Sequence, residues 1–422
     1  MPLCLTPRIE SIAQSVTGRS APFFAADIAA QAHTLSDAIL GRRILVAGGA
    51  GSIGSATLLA LLEFQPAAVH VLDPAENNLA ELVRSVRTNA HEFKGEFAVQ
   101  PLDYGSNLAA GYLSTQSPFD VVLSFAALKH VRSERDEFSL ARMLEVNLTK
   151  ADRFLATLRR QGHGNEGVFL VSTDKAANPV SLMGASKRAM ELLLWAHATP
   201  GSPASILDGG IAPSLPRITT TRFANVAFSD GSLPWSFLQR LEKNQPLAAP
   251  GDIRRYLVSP VEAGQLCLLA AFVAPHHHVL VPTLDPEKDL VKFTDIAEHT
   301  LRSFGLTPEW HRDEATAKAA VEGARERGRW PVLVTHSDTS GEKDIEEFIG
   351  KDEYAIDCEL ASCRAVAGKA PQRQALGGFL QLVDRACVTG LPPAKAELVT
   401  ALGKLIPMLH HQETGKSLDQ KM

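Results

Sequence analysis

The chain has 422 residues, 45% of them hydrophobic and 21% charged, a composition ordinary for a soluble globular protein of two or three lobes. A formal net charge of -5 offers no basic field for nucleic acid, and the longest apolar run, "LCLLAAFVAP" at 266–275, falls short of the about 20 residues that a membrane span needs. Five cysteines without a CxxC pair read as free thiols of a reduced, cytoplasmic protein, and "MPLCLTPRIESIAQ" has neither the basic nor the apolar region of a signal peptide.

Residues 1–40 read as an N-terminal helical extension, patterned as in "AADIAAQAHTLSDAIL". "RRILVAGGAGSIGSATLLALLEF" (42–64) then changes period in its middle. An apolar run of the buried-strand kind gives way to "GGAGSIG", and apolar positions at helical spacing follow. Gly48, Gly51 and Gly54 punctuate the turn, with Ser52 and Ile53 opening the helix. Such a strand, glycine turn and helix N-terminus form an anion site, because unpaired N–H groups and the positive end of the helix dipole face a pyrophosphate. "AVHVLD" (68–73) is a second strand and ends in Asp73. That acid lies about 20 residues beyond the glycines, where a carboxylate binds ribose hydroxyls. The pattern is a Rossmann nucleotide site, and Asp73 favours NAD over NADP.

"FAVQPLDY" (97–104) reads as a third strand, whose Asp103 either lies near the adenine or caps the strand end. "DVVLSFAALKH" (120–130) is a fourth. Its end brings Ala126 to the cofactor and Lys129 and His130 just past the sheet edge where ligands bind in open α/β sheets. For Lys129, for His130 and for Asn147 in the next helix, a structural role competes with a site role.

"EGVFLVSTDKA" (166–176) is another buried strand with its polar residues at the carboxyl end. Ser172, Thr173, Asp174 and Lys175 therefore emerge where a nicotinamide sits. "NPVSLMGASKRAMELLLWA" opens a helix in which Met183 and Lys187 share a face at i and i+4. Lys187 is placed to bond the nicotinamide ribose and to lower the pKa of neighbouring acids. Met183 stands where one large class of nicotinamide enzymes has its tyrosine acid/base, and a thioether carries no proton.

The motifs "GGAGSIG", "AALKHV", "VSTDKAANPVSLMGASKRA", "TRFANVAFSDGSLPWSF", "RRYLVSPVEAGQL" and "TSGEKDIEEF" span roughly 42–350. Together they resemble the extended short-chain dehydrogenase/reductases, and within them the capsular-polysaccharide group of UDP-N-acetylglucosamine 4,6-dehydratases. The resemblance implies oxidation at sugar C4, loss of water across C5 and C6, and return of the hydride to C6, with a tightly bound, recycled NAD or NADP. It makes Asp174 the acid and Lys175 the base, which requires a protonated aspartate and a neutral lysine. Burial pushes both groups that way. Members of the same group resemble this chain in carrying Met at 183, so the C4 hydroxyl proton passes to another group: Asp174 through a water, or Thr173 in a relay. Ser124 and Phe125 depart from the family's usual run beside the cofactor.

The resemblance also places Asn225, Gly231, Ser232 and Arg255 on the sugar diphosphate, and Glu342 with Lys343 in the late segment that closes the nucleotide pocket. A helix-start charge cluster is the plainer reading of that last segment. "TPGSPASILDGGIAPSLPRITT" (199–220) reads as a surface excursion. "PHHH" (275–278) and His410–His411 carry no expectation of metal. "ALGGFLQLVDRACV" and "AELVTALGKLIPMLHH" are amphipathic helices.

The fold expected is α/β: a Rossmann-type doubly wound parallel sheet with a smaller α/β substrate domain and helical extensions at both ends. The divisions are 1–40, a NAD(P)-binding domain at 41–215, a nucleotide-sugar portion at 216–350, and a C-terminal helical extension at 351–422. The partners expected are a UDP-linked sugar and further copies of the chain, with no nucleic acid and no membrane. A nucleotide-sugar 4-epimerase and a non-catalytic nucleotide-binding scaffold are the alternatives to a dehydratase.

Overall fold

The computed structural model describes residues 6–411 other than 91, 337–342, 344, 370 and 371. In chain order its strands are β1 (Arg43–Ala47), β2 (Ala68–Leu72), β3 (Glu96–Gln100), β4 (Val121–Ser124), β5 (Gly167–Val171), β6 (Ile218–Thr221), β7 (Asn225–Val226), β8 (Leu247–Pro250), β9 (Arg254–Val258), β10 (His278–Pro282), β11 (Leu290–Lys292), β12 (Thr307–His311), β13 (Arg329–Thr335), β14 (Ala355–Asp357) and β15 (Cys363–Ala367). Nine form the main sheet in the order β14-β15-β10-β6-β5-β4-β1-β2-β3. From β3 to β10 neighbouring strands are parallel, and β15 and β14 close the edge antiparallel. Central strands such as β2, β4 and β5 are buried along their whole length, as a parallel sheet covered on both faces requires. This is the expected doubly wound Rossmann arrangement.

Register fixes the working edge. Ala47 of β1 pairs with Ser124 of β4, Ser124 with Leu170 of β5, and Val171 with Thr221 of β6. The chain therefore leaves four adjacent strands at one level, and their next residues, Gly48, Phe125, Ser172 and Arg222, start the loops of one crevice. Two three-stranded sheets, β11-β9-β7 and β12-β13-β8, make the smaller α/β portion. Its core is separate, with Phe237, Leu247, Ile296 and Trp330 fully buried.

The N-terminal segment is helical and packs into both cores. The helix Thr6–Thr17 buries Ile9 and Ile12 in the smaller core, whereas Phe24, Leu35 and Ile39 of the N-terminal segment belong to the larger one. Arg19 then bridges Glu262 and Asp289. The C-terminal stretch is not purely helical: β14 and β15 extend the main sheet before the helices Arg373–Thr389 and Lys395–Leu405. The excursion at 199–220 is pinned rather than loose. Arg159 donates to the carbonyls of Ser202, Pro203, Ala212 and Pro213, and Asp152 accepts from Ser205, Ile206 and Leu207. Two buried charges on one helix supply the partners that the Pro/Gly-rich backbone lacks. Among the described residues no helix is long and apolar enough to cross a membrane.

Candidate active site

The glycine turn shows why each glycine is there. Gly48 has φ +72°, and a Cβ on it would come 2.5 Å from the Ala126 nitrogen. A Cβ on Gly54 would come 2.5 Å from the Gly48 carbonyl, so the third glycine lets the helix Ser52–Leu62 pack onto its own turn. Gly51, the N-cap, has only the Gly48 oxygen nearby, at 3.6 Å. Its flank is open to an anion facing the helix N-terminus. These three positions and Ser52 and Ile53 line a cavity of about 380 Å³. The turn therefore fits a dinucleotide pyrophosphate.

Asp73 ends β2 almost fully buried, with one oxygen accepting from Ala50 N–H at 3.1 Å and the other from Ala75 N–H at 2.9 Å. Burial raises its pKa and those two N–H groups oppose the rise. The acid thus holds the glycine turn in shape. Asp103 lies away from the cavity: it accepts from Gly105 N–H at 3.1 Å and pairs with Lys150. Asn147 is likewise turned inward. Its amide exchanges hydrogen bonds with both backbone groups of Leu128 and donates to Ser186 Oγ, so it fixes the segment that carries Lys129.

Lys129 and His130 line the same cavity. Burial pulls the Lys129 ammonium below its usual pKa, and Asp230 partly restores it. Asp230 also accepts from Ser52 Oγ at 2.9 Å, while its backbone N–H donates back to that hydroxyl. This reciprocal pair ties the cofactor helix to the loop Ser229–Ser232.

At the end of β5 the chain makes a short 3-10 turn over Asp174–Ala176. Asp174 is 1% exposed, and its Oδ1 accepts from Thr173 Oγ1 at 2.8 Å, Lys175 N–H at 2.9 Å and Lys175 Nζ at 3.1 Å. Its Oδ2 is buried and has no hydrogen-bond partner among the described residues. Thr173, Asp174, Lys175, Met183 and Lys187 all line the cavity. Met183 is 4% exposed, and its backbone N–H donates to Glu134 Oε1 at 2.9 Å. Lys187 Nζ donates to the Val171 carbonyl at 2.9 Å, and burial pushes its pKa down to about 8 against the pull of Glu191.

The protonation expected of Lys175 is corrected here. Burial works against its ammonium, but Asp174 and Glu346 outweigh burial and hold its pKa above the usual lysine value, with Arg255 opposing them. A second carboxylate is present: Glu346 Oε1 lies 3.5 Å from Lys175 Nζ. Glu346 lies in the stretch "TSGEKDIEEF" together with Glu342 and Lys343. Glu342 lies outside the described residues. Lys343 Nζ stands 3.9 Å from Glu346 Oε2.

On the substrate side, Asn225, Gly231 and Ser232 line the cavity. Ser232 caps the helix Leu233–Glu242 by accepting from Trp235 N–H. Gly231, at φ +70°, lies flat against the His130 ring where a Cβ has no room. Arg255 is buried on β9, donates to the Arg254 carbonyl at 2.9 Å and acts electrostatically on Lys175 and Glu346. It does not line the cavity wall shared by the glycine turn and Asp174.

A family model described as polysaccharide biosynthesis protein matches residues 44–357. The chain is 30% identical over 280 residues to the probable polysaccharide biosynthesis protein EpsC of Bacillus subtilis, a match covering 65% of this chain and 43% of that protein. It is 26% identical over 276 residues to the capsular polysaccharide biosynthesis protein CapD of Staphylococcus aureus, again covering 65% of this chain and 43% of that protein. The chain thus spans less than half the length of these two relatives. Among solved structures, Pen from Bacillus thuringiensis superposes with a TM-score of 0.60 at 19% identity, over 84% of this chain and 99% of that one. A UDP-glucose-4-epimerase from Stenotrophomonas maltophila, solved with bound NAD and formylated UDP-arabinopyranose, gives 0.53 at 16% identity over 83% and 99%. Both share the fold.

Proposed function

The chain belongs to the polysaccharide biosynthesis protein family, and from that premise we propose that it is a nucleotide-sugar 4,6-dehydratase that converts UDP-N-acetylglucosamine to a UDP-2-acetamido-4-keto-2,6-dideoxyhexose. The observation that carries this reading is the Asp174–Lys175 pair, 3.1 Å apart, on the wall of a cavity that the glycine turn also lines. An acid and a base side by side are what an elimination across C5 and C6 needs.

Gly48, Gly51 and the N-terminus of the helix Ser52–Leu62 would hold the pyrophosphate of a nicotinamide dinucleotide, and Lys187 its ribose. The NAD in the similar epimerase structure and the acid at Asp73 favour NAD over NADP. When bound, the cofactor supplies a hydride acceptor for C4 that gives the hydride back to C6. The Asp174 carboxylate takes the C4 hydroxyl proton, and its unpartnered Oδ2 is the oxygen available for this. Lys175, once its extra proton has passed to a neighbouring group, then removes the C5 proton, which the new ketone has made acidic. Asp174 gives its proton to the C6 hydroxyl, which leaves as water. Lys175 returns its proton to C5, and the balance is loss of one water.

A 4-epimerase is the second reading, favoured by the fold shared with the UDP-glucose-4-epimerase. Met183 speaks against it, since the chemistry there needs a proton carrier opposite C4 and no acid at C6. The test is incubation with UDP-N-acetylglucosamine in deuterated water, followed by mass and proton NMR. Loss of one water with deuterium at C5 is expected. An isomer without deuterium would mean an epimerase, and no change across several nucleotide sugars would mean a nucleotide-binding scaffold.

A further inference from the structure

Before water leaves, two protons must find acceptors. One is the C4 hydroxyl proton. The other is the extra proton of Lys175, which must go if the amine is to attack C5. Asp174 takes only one, and it must hold the C4 proton to pass it to the C6 hydroxyl. Thr173 Oγ1 already donates to Asp174, and Met183 carries no proton. The Asp174–Lys175 pair is therefore one acceptor short.

Glu346 has the position and surroundings of the missing acceptor. It is 4% exposed, its Oε1 lies 3.5 Å from Lys175 Nζ, and its Oε2 is buried without a hydrogen-bond partner among the described residues. The separation is about half an ångström beyond an ordinary N–H···O bond, within reach of a rotation of the lysine's last torsions. Among the described residues four charged groups bear on it: Lys175, Asp174, Arg255 and Lys343. Burial raises its pKa, the nearby Lys175 lowers it, and Asp174 raises it further. The segment is held in place, because the next residue, Glu347, accepts from Asn178 Nδ2 at 2.7 Å and the Phe348 carbonyl accepts from the buried Arg222.

We propose that Glu346 accepts the extra proton of Lys175, so that the amine is neutral while Asp174 stays ionised for the C4 hydroxyl. The proposal rests on the dehydratase reading and assigns a step within it. The Lys175 side chain is 25% exposed. A bound sugar removes that contact with water, and desolvation favours the neutral amine and carboxylic acid over the ion pair. The N–H bond of Lys175 breaks and an O–H bond forms on Glu346. No electrons leave the pair, and the proton returns when product departs. Glu346 acts through Lys175 and is a positioning residue.

The test compares wild type with Glu346→Gln and Glu346→Asp across pH, using UDP-N-acetylglucosamine in deuterated water. C4 oxidation is followed by nicotinamide absorbance, and elimination by water loss and C5 deuterium. Wild-type elimination should be flat around neutral pH. In Glu346→Gln, C4 oxidation should persist and elimination should fall about 100-fold at pH 7. It should then recover about tenfold per pH unit, because the lysine proton now leaves to solvent. Glu346→Asp should regain part of the neutral-pH rate. Elimination within threefold of wild type with an unchanged profile would overturn the proposal, as would a loss that no pH restores. Where Glu346→Gln fails to fold, the wild type is mixed with a 4-deoxy analogue of the substrate, which brings no C4 proton. A protonated-carboxyl band in the infrared difference spectrum, displaced in Glu346→Asp, is expected, and its absence overturns the proposal. A wild type that oxidises C4 without losing water, or leaves the sugar unchanged, refutes the dehydratase reading, and the role of Glu346 falls with it.

Discussion

Asp174 has two unlike oxygens, and the difference orders its work. Oδ1 takes three hydrogen bonds from its own neighbours, while Oδ2 is buried with none among the described residues. An unpaired buried acceptor costs roughly 1–3 kcal/mol, which a substrate hydroxyl would offset. Asp174→Asn should therefore lower both C4 oxidation and elimination, by on the order of 10²–10⁴-fold. Full C4 oxidation with loss of elimination alone, seen as reduced nicotinamide without water loss, would show that another group takes the C4 proton. Lys187 makes a prediction about stability. Its pKa is about 8 in the fold against 10.5 unperturbed, so between those values the folded chain binds fewer protons than the unfolded one. Stability then rises with pH through that window, and below it carries a penalty on the order of 3 kcal/mol. Urea unfolding of the nucleotide-free protein should show this rise, and Lys187→Met should lack it. Parallel curves for the two proteins from pH 8 to 10.5 would refute the assignment.

The helix Leu182–Ala198 shows how an element serves the site. Ser181 caps it, with Gly184 N–H donating to Ser181 Oγ at 3.0 Å. Gly184 packs against the 3-10 turn of Asp174–Ala176: a Cβ there would come 2.5 Å from the Lys175 carbonyl. Gly184→Ala should push the turn away, costing about 1–3 kcal/mol and lowering elimination more than nucleotide affinity. Thermal melting and nucleotide titration check this, and an unchanged elimination rate would mean that the turn tolerates the methyl group. Much of this element is legible in sequence. A strand that ends in polar residues and a helix that opens after Pro179 put Thr173, Asp174, Lys175 and Lys187 within one local stretch, and periodicity alone orients them. Local pattern fails where the partner is remote. Asn147 spends its amide on Leu128 and Ser186, and Asp103 pairs with Lys150. Glu346 meets Lys175 from a segment remote in sequence. None of these contacts has a periodic or spacing signature.

The seat of Glu346 depends on the whole molecule through a buried charge cluster. Arg222, fully buried just past β6, makes two hydrogen bonds to Glu191 and two to Glu353, while Arg188 pairs with the same two acids. Ser172 adds its hydroxyl to Glu191 at 2.6 Å, so the cluster touches the strand end that carries Asp174. Arg222 also donates to the Phe348 carbonyl, which ties down the segment just after Glu346. A buried ion pair adds little over an apolar one, but removal of one partner strands the rest, at roughly 3–5 kcal/mol. Glu353→Gln should lose stability on that scale. Burial works against the Glu353 carboxylate, but Arg222 and Arg188 hold its pKa down to about 2, from 4.5. Its contribution is therefore present above pH 4.5 and lost as pH falls toward 2. Wild type should show that acid slope and Glu353→Gln should lack it, as followed by denaturant unfolding. The folded fraction of Glu353→Gln should still oxidise C4, because the glycine turn is formed without the cluster and Lys187 keeps its bond to the Val171 carbonyl. Its elimination should weaken and become dependent on alkaline pH, as in Glu346→Gln, since both changes take the same carboxyl away from Lys175. Normal elimination in a destabilised Glu353→Gln would mean that the late segment keeps its seat without the cluster.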